Sequence, residues 1–208
     1  MEKLPQTEAA RRRRGMLEEA LLELMRTKGY AQTTVTDICR VAQIPRRTFY
    51  HYFDCKESVL RAVVERMLRE CSLEVMLEFD RGFDVMRESL VRNFQYWQGD
   101  ARQKLDLLLD NGLTAEMTRY ALRWLATENI ILPRQPGEGE EENEIFTMLG
   151  ISGFFTLLMY WRRNEYRETP EEMAEWAYFL TVTNKFCTGQ NILVDGGEAI
   201  NYNFVWKK

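Results

Sequence analysis

The sequence is poor in the residues that build metal and redox centres. Its 208 residues hold one histidine and four cysteines. Cys39, Cys55, Cys71 and Cys187 contain no Cys-x-x-Cys pair. Tetrahedral metal sites need clustered thiolates or imidazoles, so this spacing argues for reduced, structural thiols and against a zinc site. Long apolar runs are also missing. None approaches the roughly 20 residues of a membrane span, and the N-terminus is too polar for a signal peptide. The expectation is a cytoplasmic protein with no membrane contact. At 45% hydrophobic and 29% charged residues, the chain is neither disordered nor membrane-like. Its length allows a sizeable core in one domain or two small ones.

Excess positive charge is absent overall, the net charge being −4. Divided at Phe53, the balance changes. Through that residue there are ten Lys/Arg against six Asp/Glu, and beyond it 18 against 26. A basic head therefore precedes an acidic body, as expected where the head alone meets phosphates. The densest basic run is Arg11-Arg12-Arg13-Arg14. It reads either as the solvated start of a helix or as an arm contacting backbone or minor groove.

The stretch Thr33 to Phe53, TTVTDICRVAQIPRRTFYHYF, carries the most information. Thr34 or Thr36 can cap a first helix, and Val35, Ile38, Cys39 and Ala42 give it an apolar face. Ile44-Pro45 breaks that helix and opens the next. In the helix expected from Arg46 to Phe53, Phe49 and Phe53 share one side. Arg46, Arg47, Thr48, Tyr50 and His51 fall largely on the remainder, with Tyr52 beside them. One helix that packs and a second that presents polar side chains is the build of a helix-turn-helix. Tyr50 and His51 have an alternative as half-buried packing residues. Thr34 and Lys56, at the starts of two helices, suit phosphates flanking the groove.

On these residues the chain resembles the DNA-binding domain of the TetR family of bacterial transcriptional regulators. The matching parts are Gly29-Tyr30, Asp37-Ile38, Ala42, Thr48 to Phe53, Lys56-Glu57 and Leu60. Members of that family often carry glycine near Gln43 and serine at Pro45, so the turn departs from the pattern. The resemblance implies operator binding through Thr34, Thr36, Arg46, Arg47, Thr48, Tyr50, His51, Tyr52 and Lys56.

Helical periodicity continues to about Leu180. Expected helices run over 9–27, 56–79, 83–97, 102–109, 114–128, 144–164 and 170–180, with a charged loop over 133–143. Thr169-Pro170-Glu171-Glu172 is a helix start, with a capping hydroxyl, an early proline and acids in the first turn. The fold class is all-α: a head over 9–55, a helical body over 56–182 and a tail over 183–208. Gly150, Gly153-Phe154, Trp161 and Thr169 to Met173 resemble the regulatory domain of a TetR subgroup that includes activators of dihydroxyacetone kinase genes. That resemblance implies a homodimer through a four-helix bundle, with Gly150, Gly153, Phe154, Leu157, Trp161, Met173 and Ala177 at the interface. The other reading of this stripe is intramolecular core.

The tail departs from that pattern. Thr188 to Gly197, TGQNILVDGG, has strand character in Ile192-Leu193-Val194 and a turn at Asp195-Gly196-Gly197. It resembles the C-terminal segment of short-chain dehydrogenase/reductases. No glycine-rich phosphate loop follows a strand, so an inactive fused tail is expected. It should lie on the surface as coil or a poorly supported strand. The sequence thus points to a non-enzymatic transcription regulator without cofactor, binding double-stranded operator DNA as a dimer. A small-molecule effector or a protein partner would control it as repressor or activator. The alternative is an inactive oxidoreductase-like fragment fused to a DNA-binding head.

Overall fold

The computed structural model describes residues 7–75, 83–127, 140–179, 192–193 and 199–200. Among them the chain is all-α apart from one short strand pair. The helices are α1 (Glu8–Thr27), α2 (Val35–Val41), α3 (Arg46–Phe49), α4 (Lys56–Val75), α5 (Phe83–Gln98), α6 (Arg102–Asp110), α7 (Thr114–Thr127), α8 (Glu140–Arg163) and α9 (Pro170–Tyr178).

Local chemistry explains several of these limits. Thr7 caps α1 by accepting from the Ala10 N–H. Gly29, at φ +84° just past the helix end, takes the left-handed conformation that terminates α1. Thr169 and Glu172 close a reciprocal capping box at the start of α9. The expected loop over 133–143 is corrected at its end, because α8 already begins at Glu140. Residues 133–139 lie outside the described part.

A single buried cluster runs through the described helices. In the head it contains Leu17, Leu21, Ile38, Phe49 and Phe53; in the body it continues through Val63, Phe94, Leu105, Trp161 and Met173. Helix α4 packs on α1, α5 and α7, so it belongs to both parts. The most extensive helix–helix contact is α5 against α9, with α8 on α7 and α9.

In the tail, β1 (Ile192–Leu193) pairs antiparallel with β2 (Ala199–Ile200) in the register Ile192 to Ile200 and Leu193 to Ala199. The strand expected over Ile192-Leu193-Val194 is described only at Ile192 and Leu193, and its partner is a two-residue strand of the tail itself. The expected turn at Asp195-Gly196-Gly197 lies outside the described residues.

Candidate nucleic-acid interface

Helix α2 is fixed at its start by Thr34. The Thr34 hydroxyl accepts from the Asp37 N–H at 3.2 Å and donates to Asp37 Oδ2 at 2.6 Å. Asp37 Oδ2 also accepts the Thr34 N–H at 3.0 Å. Lys28 Nζ and an Arg40 guanidinium nitrogen complete the shell of this carboxylate, at 2.6 and 2.9 Å. Hydrogen bonds from Lys28 and Thr34 hold the Asp37 carboxyl well below the usual carboxylate range. Thr34, expected at phosphate, thus has both its donors committed to the cap. Thr36, one turn-position further and exposed, is free of that box.

The turn after α2 is a Schellman motif. Ile44 N–H reaches Cys39 O at 3.0 Å, and Gln43 N–H reaches Arg40 O at 3.3 Å. Gln43 stands at φ +55° where glycine is the usual occupant. The buried Ile44 side chain then leads to Pro45, the N-cap of α3.

Helix α3 is shorter than expected. It is regular only over Arg46–Phe49, and hydrogen bonds of Tyr50, His51, Tyr52 and Phe53 N–H groups to carbonyls of Arg46, Thr48 and Phe49 carry the winding on in turns. Its inner side is apolar: Phe49 and Phe53 are fully buried, with ring centroids 5.9 Å apart. Arg46, Arg47, Tyr50 and His51 are exposed, and Thr48 and Tyr52 are half-buried. Tyr52 packs on the core cluster. An Arg46 guanidinium nitrogen donates to the Tyr50 hydroxyl at 3.3 Å, so these two side chains stand together on the outer surface. The expectation of exposed polar side chains over a buried Phe pair therefore holds for four of the named residues. Tyr50, 51% exposed, does not take the packing alternative.

Two cations are assigned differently by the structure. Lys56 was expected at phosphate; its ammonium instead donates to Tyr30 O and Thr33 O at 2.9 and 3.0 Å, approaches Ala31 O at 3.4 Å and lies 4.4 Å from the Tyr30 ring centre. It braces the α1–α2 turn because three carbonyls there lack helical partners. Arg14 leaves the basic run: its Nε contacts Glu18 at 3.4 Å, and its guanidinium lies 4.9 Å over Phe53. Arg11, Arg12 and Arg13 stay exposed on the first turns of α1. Glu18 itself is buried, also meets Arg66 of α4 at 3.2 Å, and has its carboxyl pushed up by burial. Of the four arginines only Arg14 has an acid four residues on, which is the local signal for this pair.

The expected dimer stripe divides. Trp161, Met173 and Ala177 are 0%, 0% and 2% exposed within one chain, and Leu157 is buried as well. Their side chains build the chain's own core and leave no surface for a second subunit, which corrects the expectation. Trp161 Nε1 donates to Glu168 O at 2.8 Å, and its ring meets Phe94 edge-on at 5.5 Å. Phe154 is half-buried against Phe94, 5.0 Å between centroids. Gly150 and Gly153 are half-buried, and a Cβ on Gly153 would meet nothing within 4 Å. The small residue at 153 is not required by packing within the chain. Met148 and Leu149, 49% and 61% exposed, lie on the same helix. Among the described residues no helix is long and apolar enough to cross a membrane.

Residues 17–63 match the family described as "Bacterial regulatory proteins, tetR family". The chain is 36% identical over 67 residues to the HTH-type transcriptional regulator EthR of Mycolicibacterium smegmatis, covering 32% of this chain and 27% of that protein. It is 36% identical over 55 residues to the HTH-type dhaKLM operon transcriptional activator DhaS of Lactococcus lactis, covering 26% and 29%. The matches thus span less than a third of either relative. A solved TetR transcriptional regulator from Streptococcus agalactiae has the same fold at a TM-score of 0.54 and 17% identity, over 83% of this chain and 95% of that one. Residues 17–63 are therefore a TetR-type helix-turn-helix, a DNA-binding module of transcription regulation, carried on an all-α body.

Proposed function

We propose that this chain is a cytoplasmic, dimeric transcription regulator that reads a pseudo-palindromic operator with Arg46, Arg47, Thr48, Tyr50 and His51. The observation that carries this reading is the exposed polar edge of α3 on a foundation of fully buried Phe49 and Phe53. Buried aromatic anchors fix the short helix, so its outer side chains meet the major groove preorganised. Thr36, Tyr52 and the exposed Arg11 to Arg13 contribute contacts to the backbone, which position without specifying sequence. A second subunit docks on the α8 face that carries Leu149 and Gly153. The open space beside Gly153 supports close helix approach there. A small-molecule effector or protein partner acting on the body would complete the regulator.

The test is selection of binding sites from a randomised duplex pool, followed by gel shifts with wild type and Arg47→Ala. Enrichment of an inverted repeat with half-sites about 34–36 Å apart, or a multiple of that, supports the proposal. Recovery of unenriched sequence refutes it. The oxidoreductase-fragment reading rests on the tail resemblance alone, and no other observation favours it.

A further inference from the structure

Besides the contacts made by α4, the body reaches the head through a side chain at the end of α6. Asn111, just past α6, accepts the Tyr30 N–H on Oδ1 at 2.6 Å and donates from Nδ2 to Leu107 O at 2.8 Å. Tyr30 lies in the turn between α1 and α2. That turn is tied internally by the Thr33 hydroxyl donating to Gly29 O at 2.8 Å and by Thr33 N–H to Tyr30 O at 3.1 Å. Lys56 braces it from α4, and it delivers the chain into the Thr34 cap of α2.

The opposite side of α6 is held to the end of α8. Arg162 Nε donates to Asp106 Oδ1 at 2.9 Å, and a second guanidinium nitrogen pairs with Asp110, the neighbour of Asn111. Tyr166 donates its hydroxyl to Asp106 Oδ1 at 2.6 Å, with Arg102 4.3 Å over its ring. Tyr166 sits in a turn where it and Glu165 both take φ +58°, a conformation that non-glycine residues keep only when their surroundings hold it. A strained turn, a charged cluster, a nine-residue helix and one amide thus form a contiguous path from the α8–α9 corner to the helix-turn-helix.

We propose that Asn111 is the positioning residue through which displacement at the α8–α9 corner reaches the DNA-binding head. The path moves α6 against the α1–α2 turn and does not pass along α4, the helix that joins head and body covalently. Coupling along this path is measured as a response at one end to a change at the other. The proposal rests on the head being the DNA-binding module, but its test requires no DNA.

Amide hydrogen exchange on the full chain is compared for wild type, Asn111→Ala, Asn111→Asp and Arg162→Met. Asn111→Asp keeps an acceptor for the Tyr30 N–H, while it replaces the donation to Leu107 by a carboxylate oxygen and adds a charge beside Asp110. Asn111→Ala should speed exchange across residues 30–41 about tenfold, the scale of one lost hydrogen bond, with α9 unchanged. Asn111→Asp should retain head protection, and Arg162→Met, altered only at the far end, should loosen the same head segment. If Asn111→Asp loosens the head as much as Asn111→Ala, the residue merely caps α6 and the proposal is overturned. Head exchange unaffected by Arg162→Met overturns it as well. Should Asn111→Ala fail to fold, the other two variants decide the matter. Gel shifts with Arg47→Ala, measured separately, test the DNA-binding reading on its own.

Discussion

Replacing Gln43 by glycine should stabilise this protein. Gln43 is the residue after the C-cap of α2 and holds φ +55° to let the Ile44 and Gln43 N–H groups reach Cys39 and Arg40 carbonyls. In that left-handed region the Cβ crowds the following carbonyl, at roughly 1–2 kcal/mol for a non-glycine residue. Glycine removes the crowding but gives back roughly 0.5–1 kcal/mol in unfolded-chain entropy. The net gain is about 0.5–1 kcal/mol, since the exposed Gln43 side chain takes no core contact with it. In a chain of this size that amounts to a rise in melting temperature of about 1–4 °C. Urea unfolding followed by circular dichroism would measure it as a higher midpoint with an unchanged slope. Gln43→Ala is the control: it trims the side chain and keeps the Cβ, so it should change little. Gln43→Val adds a β-branch to the same strained backbone and should lose about 1 kcal/mol or more. Equal midpoints for glycine and alanine, or a glycine variant weaker than wild type, would refute the backbone-strain account of this turn.

Arg47→Ala should cost about 1–3 kcal/mol on the selected operator if the contact to guanine is bidentate; an equal loss on random duplex would assign Arg47 to phosphate. Leu149→Asp should shift a dimer to monomers, because a charge placed in an apolar interface is left unpaired; sedimentation showing an unchanged mass removes this face from the interface. Leu149 tests this better than Phe154, whose contact with Phe94 also supports the fold. Thr34→Ala should lower stability by about 1 kcal/mol through the lost cap of α2, read by urea unfolding, and an unaltered midpoint would show the capping box to be dispensable. Burial first, then nearby acids, raises the hydroxyls of Tyr30, Tyr96 and Tyr166 above their ordinary value. Stability from these phenols is complete below their unfolded value of about 10 and is lost as pH rises beyond it. Tyr166→Phe should make that alkaline decline shallower, and the same slope in wild type and variant would contradict the assignment.

The helix-turn-helix was legible because its determinants are local. The Thr34–Asp37 cap, the Pro45 break and the Phe49–Phe53 spacing lie within one or two turns of each other, and short-range backbone chemistry decides them. Helix α9 was legible for the same reason, from Thr169-Pro170-Glu171-Glu172. The regularity of α3 was overestimated, since apolar spacing from Arg46 to Phe53 is satisfied equally by one helical turn followed by tighter turns. Identical-looking residues took different roles where partners came from afar. Arg14 separated from Arg11 to Arg13 because the distant Phe53 lies under its guanidinium, beside Glu18 one helical turn away. Lys56 went to three carbonyls of the α1–α2 turn that α4 brings beside it. Periodicity marked Leu157, Trp161, Met173 and Ala177 as an apolar stripe, but a stripe does not say which surface covers it. Only the packing of α5 and α9 against α8 put those side chains inside one chain and left Leu149 and the space beside Gly153 outside. Asn111 carried no signal at all in the sequence: its partner is 81 residues away, and a single hydrogen bond between distant residues has no periodicity to read.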